Sequence, residues 1–251
     1  FDPLLIFGIG PFPKLGVTGA AVATVLGQIF AALVALVMLT VKEKNIRLRL
    51  RSMVPSLEIL KEIFSVAIPS MITVGLSSAM SFCLNQILLA FSTTATAVFG
   101  VWLKLQNFAF MPIYGLNNGT VPMISYNYGA GQMDRVRQTV SLALKAALVL
   151  MIVLVLVFLQ IPGQLLRMFS ASDTMLSIGI TALRITCLSL PFGAVTLILS
   201  SSFQALGYSR YTLIINLGRQ LFFIVPIAWL MSLTGQLSLV WTATVIAEAL
   251  S

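Results

Sequence analysis

Of the seven acidic side chains, Asp2 and Glu248 are the two that fall inside apolar runs; Glu43, Glu58, Glu62, Asp134 and Asp173 lie in or beside loops. A charged group at the middle of a bilayer costs roughly 2.5–3.5 kcal/mol on insertion scales, so each of the two needs a reason. Exchange of a proton or Na+ supplies one. A carboxylate in a low-dielectric cavity has a readily shifted proton affinity, and a neighbouring hydroxyl adds an oxygen ligand for a cation. Thr24 is the candidate hydroxyl. Asp2 sits about eight residues before the next loop and Thr24 about seven after the following run begins, so at ~1.5 Å rise per residue both lie about 10–12 Å from one surface. The plainer account of Asp2 is a helix-end acid ahead of the helix-breaking Pro3.

Arg219 and Glu248 form the second constellation. Arg219 is about nine residues in from one end of its run and Glu248 about eleven in from the opposite end of the next, which puts both near mid-depth. An intramembrane ion pair is the structural reading, because a paired charge is far cheaper than a lone one. A part in moving ions or cationic substrates is the functional one. Lys104 and Arg184, each roughly nine residues into a run, can snorkel, pair or face water. Asn85, Gln106, Asn107, Asn117 and Asn118 suit a substrate cleft or hydrogen-bonded packing between helices. The chain has no histidine, and its two cysteines, Cys83 and Cys187, fall in apolar runs. That leaves a disulfide framework, a metal site and His-based catalysis without support, and no nucleophile constellation marks an enzyme.

The elements that position these groups must be membrane helices. The 251 residues are 59% hydrophobic and 9% charged, more apolar surface than a soluble domain of this size can hide. Apolar runs occur at 17–41, 63–91, 95–126, 139–161, 175–206, 211–233 and from 237 onward, and about 20 residues suffice to cross the hydrocarbon core. The net charge of +8 comes mostly from short loops, so it reads as a determinant of topology rather than of nucleic-acid binding. It puts the loops at Lys42–Glu62, Arg135–Arg137 and Arg210 in the cytoplasm. Three domains are expected: 1–41, a basic loop at 42–62, and 63–251. The chain starts at Phe1 rather than Met and ends inside an apolar run, so a piece of a longer chain is expected. The stretch Phe110–Arg137 carries Pro112, Gly115, an Asn-Asn-Gly triplet and Pro122. It is read as the cytoplasmic end of a helix in which Pro112, Gly115 and Pro122 permit bending, followed by a turn at Tyr126–Ala130. Ala23-Thr24-Val25 recurs as Ala243-Thr244-Val245, 220 residues on, with Gln28 falling on Glu248. Three matches in apolar sequence also arise by chance, but a parallel repeat of six helices is a known transporter construction.

Six stretches together resemble the multidrug and toxic compound extrusion (MATE) family, in its bacterial multidrug-exporter branch. They are FDPLLIFG (1–8), GVTGAAVATVLGQ (16–28), IPSMITVGLSSAMSFCLNQ (68–86), PIYGLNNGTVPMISYNYGAGQMDRVR (112–137), FQALGYSRYTLI (203–214) and RQLFFIVP (219–226). The resemblance implies an all-α polytopic membrane protein with a two-lobe transporter fold, of which this chain spans the end of helix 5 through part of helix 12. In that register Asp2 and Thr24 match a cation site of the N-lobe. The acids that some members carry on helices 7 and 10 have no counterpart at 63–91 or 175–206.

The function implied is H+- or Na+-coupled antiport exporting hydrophobic or cationic drugs. The coupling ion stands in place of a cofactor. The partners are small-molecule substrates and the lipid bilayer, not nucleic acid, in a bacterial inner membrane. Two alternatives stand beside it. A lipid-linked oligosaccharide flippase of related architecture would favour a more basic cavity than Lys104, Arg184 and Arg219 provide, and the fragment alone could be a non-transporting membrane subunit.

Overall fold

The computed structural model describes residues 2–8, 10–11, 13–42 and 56–250, and every regular element among them is helical. The chain divides into two compact units, Phe1–Leu60 and Lys61–Ser251. Much of the basic loop expected at 42–62 lies outside the described residues, at 43–55.

In the first unit α1 (Asp2–Phe7) folds back on α2 (Gly16–Lys42). The connecting turn uses Gly8, Gly10 and Gly16 at φ of 72°, 74° and 58°, a region in which a Cβ would be strained. The Leu15 N–H donates to the Leu5 carbonyl at 3.0 Å, and Leu5 and Ala23 are buried. Gly19 lets the helices meet, since a Cβ there would run into the Leu5 carbonyl. Most other apolar side chains of α2, such as Ile29, Phe30 and Leu33, are exposed, as a lipid-facing helix requires.

The second unit holds most of α3 (Leu57–Leu89), then α4 (Thr93–Gly129), α5 (Met133–Gln160), α6 (Pro162–Arg167), α7 (Asp173–Thr186), α8 (Leu190–Ala205), α9 (Ser209–Leu217), α10 (Val225–Ser232) and α11 (Leu237–Leu250). Each apolar run of the sequence is helical, with ends displaced by a few residues. The interval between the apolar runs 139–161 and 175–206 is not all loop: its first half is α6, with Pro162 at the helix start, where a missing N–H costs nothing. A 3₁₀ turn at Cys187–Ser189 joins α7 to α8. Pro191 accounts for it, because its ring crowds the carbonyl four residues back and it donates no hydrogen bond.

Five helical runs among the described residues are long and apolar enough to cross a membrane: Gly16–Val41, Leu57–Leu89, Met133–Gln160, Asp173–Ala205 and Ser209–Ser232. α4 is longer than any of them, but Gln106, Asn107, Asn117 and Asn118 make it more polar. It is sheltered by packing on α5, α7 and α8. Alanines fill many of these contacts, with Ala143, Ala147, Ala194, Ala243 and Ala247 all at most 2% exposed. Lipid tails are as apolar as a leucine, so close backbone approach at small residues drives helix association more than hydrophobic transfer does. Trp102 on α4 meets Phe158 on α5 edge to face, with centroids 6.4 Å apart.

Candidate functional site

α9, a π-helical turn at Gly218–Ile224 and α10 make one continuous run. Pro226 gives the wide turn a cause: the α-helical bond to Phe222 is lost, and the looser winding relieves the clash with that carbonyl. Arg219 and Gln220 stand in the turn. Arg219 Nη1 donates to both carboxylate oxygens of Glu248 on α11, at 2.8 and 3.1 Å, and Nη2 donates to Asn216 Oδ1 at 3.3 Å. The two residues whose depths matched in the sequence are thus in direct contact. Their side chains are 20% and 9% exposed.

Room for the carboxylate comes from Gly193 on α8, where a Cβ would stand 3.1 Å from the Phe110 ring and 3.8 Å from Glu248 Oε2. The polar chain continues beyond the pair. Asn216 Nδ2 donates to the Thr212 carbonyl at 2.8 Å, and Thr212 Oγ1 donates to the Ser200 carbonyl at 2.9 Å. α8, α9, the π turn and α11 are joined by side-chain hydrogen bonds inside an otherwise apolar bundle.

Arg219 also lines a cavity of about 580 Å³ bounded by α3, α4, α8, α9 and the π turn. That volume lies within the range of small-molecule sites. Three polar ladders face it: Thr73, Ser77 and Ser81 on α3; Thr196, Ser200 and Gln204 on α8; Thr212, Asn216 and Gln220 on α9 and the π turn. Met80, Leu103 and Phe110 supply apolar wall. Six of the nine ladder residues are hydroxyls, which carry no charge to mark them, yet each ladder repeats every four residues, which keeps one helix face polar. That period is the signal that finds them.

Of the cleft candidates from the sequence, Gln106 and Asn107 line this cavity. Asn85, Lys104, Asn117 and Asn118 do not. Lys104 Nζ lies 5.8 Å over the Phe169 ring centroid, Arg184 is exposed on α7, and Asn118 is exposed on α4. Asp2 opens α1, but its side chain lies outside the described ones. Thr24 is exposed on α2 and its Oγ1 donates to the Ala20 carbonyl at 2.9 Å. α4 runs unbroken through Pro112, Gly115 and Pro122 to Gly129. The turn that follows places Gly131 at φ 73°. At that end Ser125 Oγ donates to the Ala205 carbonyl of α8 at 3.0 Å. The Tyr208 phenol is pushed above its usual value, chiefly by its hydrogen bond with Tyr128.

A family model described as MatE matches residues 69–230. Multidrug export protein MepA of Staphylococcus haemolyticus (strain JCSC1435) is 26% identical over 241 residues, which cover 96% of this chain and 52% of that protein. MepA of Staphylococcus aureus (strain MSSA476) is 27% identical over 250 residues, 99% of this chain and 54% of that one. The chain therefore spans about half the length of the curated relatives it matches. Among solved structures, an outward-facing multidrug resistance MATE family transporter of the MOP superfamily superimposes with a TM-score of 0.89 at 27% identity, over 99% of this chain and 56% of that one. A MOP superfamily transporter from Pyrococcus furiosus gives 0.90 at the same identity and coverage.

Proposed function

This chain belongs to the MatE family, and from that premise we propose that it works in a cation-coupled antiporter that uses H+ or Na+ to export hydrophobic or cationic drugs and toxic organic compounds across a bacterial cell membrane. Its MATE relatives carry cargo rather than convert it, and the chain is not an enzyme. The observation that carries the reading is a polar, charge-bearing cavity built into helices that are otherwise apolar and membrane-length. Lipid gives such groups no partners, so they are retained for something that enters from water.

The coupling ion is assigned to Asp2 and Thr24. Asp2 is three residues before Leu5 and Thr24 five after Gly19, and Leu5 and Gly19 touch. On helices that fold back on each other, those offsets are about 4.5 and 7.5 Å along the axes in the same direction. The Thr24 hydroxyl spends its proton on Ala20 and keeps its lone pairs for a cation. Whatever affinity the ion removes from the cargo, the cargo must remove from the ion by the same factor. Ethidium efflux by cells making the full-length protein tests the site, with Na+ present or absent across a pH series. Asp2→Asn is expected to lower the rate at least about tenfold at equal expression, and full retained efflux removes Asp2 from the coupling site.

Bending of α4 belongs to the same reading. Pro112 and Pro122 each delete a backbone hydrogen bond and weaken the helix at two levels. Pro112→Ala and Pro122→Ala are expected to slow efflux severalfold while the melting temperature holds or rises. Unchanged turnover in both variants rules out the hinge.

A further inference from the structure

α5 carries a single charge within its apolar run. Lys145 is the only charged residue between Arg137 and Arg167. It is exposed, and among the described residues it has neither an ion pair nor a hydrogen bond. α4 and α8, which pack on α5, contain no acid to pair with it. Lys104 on α4 differs, since it has the Phe169 ring beneath it. An ammonium among apolar side chains is costly unless it meets an opposite charge or reaches the interface. Lys145 stands six residues inside the run that begins at 139, about 9 Å from its edge. From there a lysine stem lies along apolar surface and carries its charge to the level of lipid phosphates.

The surface along which it lies is a groove of about 680 Å³ between α5 and Pro112 of α4. Lys145 is its one polar lining residue. On α5 the groove is made of two adjacent rows at four-residue spacing, Leu142–Ala146–Leu150–Leu154 and Lys145–Val149–Val153. Ala146 interrupts the first row with a side chain of one carbon, which deepens the groove beside the lysine. From Leu142 to Leu154 the rise is about 18 Å, close to one leaflet of a hydrocarbon core ~30 Å thick. A partner helix would need the whole thickness, whereas a lipid chain needs one leaflet. On the other side of Lys145 the exposed face continues through Gln138 to Arg135, so positive charge gathers at one end and apolar wall at the other.

We propose that this groove binds an anionic phospholipid of the leaflet at the α4–α5 turn. Lys145 holds the phosphate, Arg135 adds charge nearer the water, and an acyl chain lies along Val149, Val153 and Leu154. The lipid is neither cargo nor coupling ion, so the site stands apart from the export reading.

Native mass spectrometry of the full-length protein, stripped of lipid in neutral detergent, provides the test. The first bound lipid is compared for phosphatidylglycerol and phosphatidylcholine with the same palmitoyl and oleoyl chains. Phosphatidylglycerol is expected to bind at least fivefold more tightly, the order expected of one lysine at an anionic surface. Lys145→Gln is expected to weaken phosphatidylglycerol at least threefold and leave phosphatidylcholine within twofold, and Lys145→Arg to keep the preference. Ala146→Phe retains the charge and fills the groove, and is expected to weaken both lipids at least threefold. Both positions are exposed, so neither variant puts the fold at risk. sn-Glycerol 3-phosphate, a phosphate without chains, is expected not to displace the lipid at a hundredfold excess. Equal affinities of the two lipids in the wild type, or phosphatidylglycerol binding that ignores either Lys145→Gln or Ala146→Phe, would overturn the site. Indifference to both variants would mean that another segment of the protein covers this face, and displacement by glycerol phosphate would make it a site for free phosphate instead.

Discussion

Glu248→Ala is expected to destabilise the full-length protein by about 3 kcal/mol, because removing one partner of a buried ion pair leaves the other charge uncompensated. The Arg219 side chain, 20% exposed, would be left with the 3.3 Å bond to Asn216 in place of its carboxylate. The shift per kcal/mol is about 2–4 °C at 150–250 residues and shrinks as the chain lengthens, so the melting temperature of the full-length protein falls by roughly 3–6 °C. Arg219→Gln/Glu248→Gln is expected to recover most of that loss, since neither residue is then a lone ion. This asymmetry separates a costly orphan charge from a pair that stabilises: buried pairs replaced together are often neutral. Thermal melts of the three proteins in detergent provide the check. A Glu248→Ala variant that melts with the wild type would mean that water already solvates the pair.

The second large effect belongs to Gly19. A Cβ at this position meets the Leu5 carbonyl, a backbone atom that no rotamer change can move, and comes within 3.1 Å of Leu15 Cβ. Gly19→Ala must push α1 off α2 or break the Leu15 N–H to Leu5 carbonyl bond of 3.0 Å. Overpacking of this kind costs about 1–3 kcal/mol. The functional loss exceeds the loss of stability, because Asp2 and Thr24 take their relative position from that same contact. Ethidium efflux is expected to fall about tenfold, as misplacement of a bound group by ~1 Å can cost even more. Gly27→Ala on the same helix meets no atom within 4 Å and is the control, expected to be neutral or stabilising by up to about 1 kcal/mol. Equal efflux from the two variants would show that close approach of α1 and α2 does not position the proposed Asp2–Thr24 ion site.

The helices were legible because bilayer crossing is a local property. A run such as 139–161 is apolar over its whole length, and its helix extends from Met133 to Gln160. Depth was legible for the same reason, since rise per residue is constant, and it put Arg219 and Glu248 at one level. The α6 helix was not, because six residues opened by a proline resemble a loop in composition. Nor was the π turn, which answers a clash between Pro226 and a carbonyl that exists only once the helix has formed.

Azimuth separates the two kinds of information. Thr73, Ser77 and Ser81 share a face by their spacing alone, and so do Thr196, Ser200 and Gln204, yet each ladder by itself could face lipid, a neighbouring helix or water. Packing of α3, α4, α8 and α9 turned those faces toward one another and closed about 580 Å³ between them. It also put Arg219 rather than Glu248 on the wall. Composition and linear distance were enough for a chain of membrane-length helices, for its spans and for the level of its charged groups. Which polar faces meet, and which member of the ion pair is the more accessible, came from packing, because both depend on contacts between helices far apart in the chain.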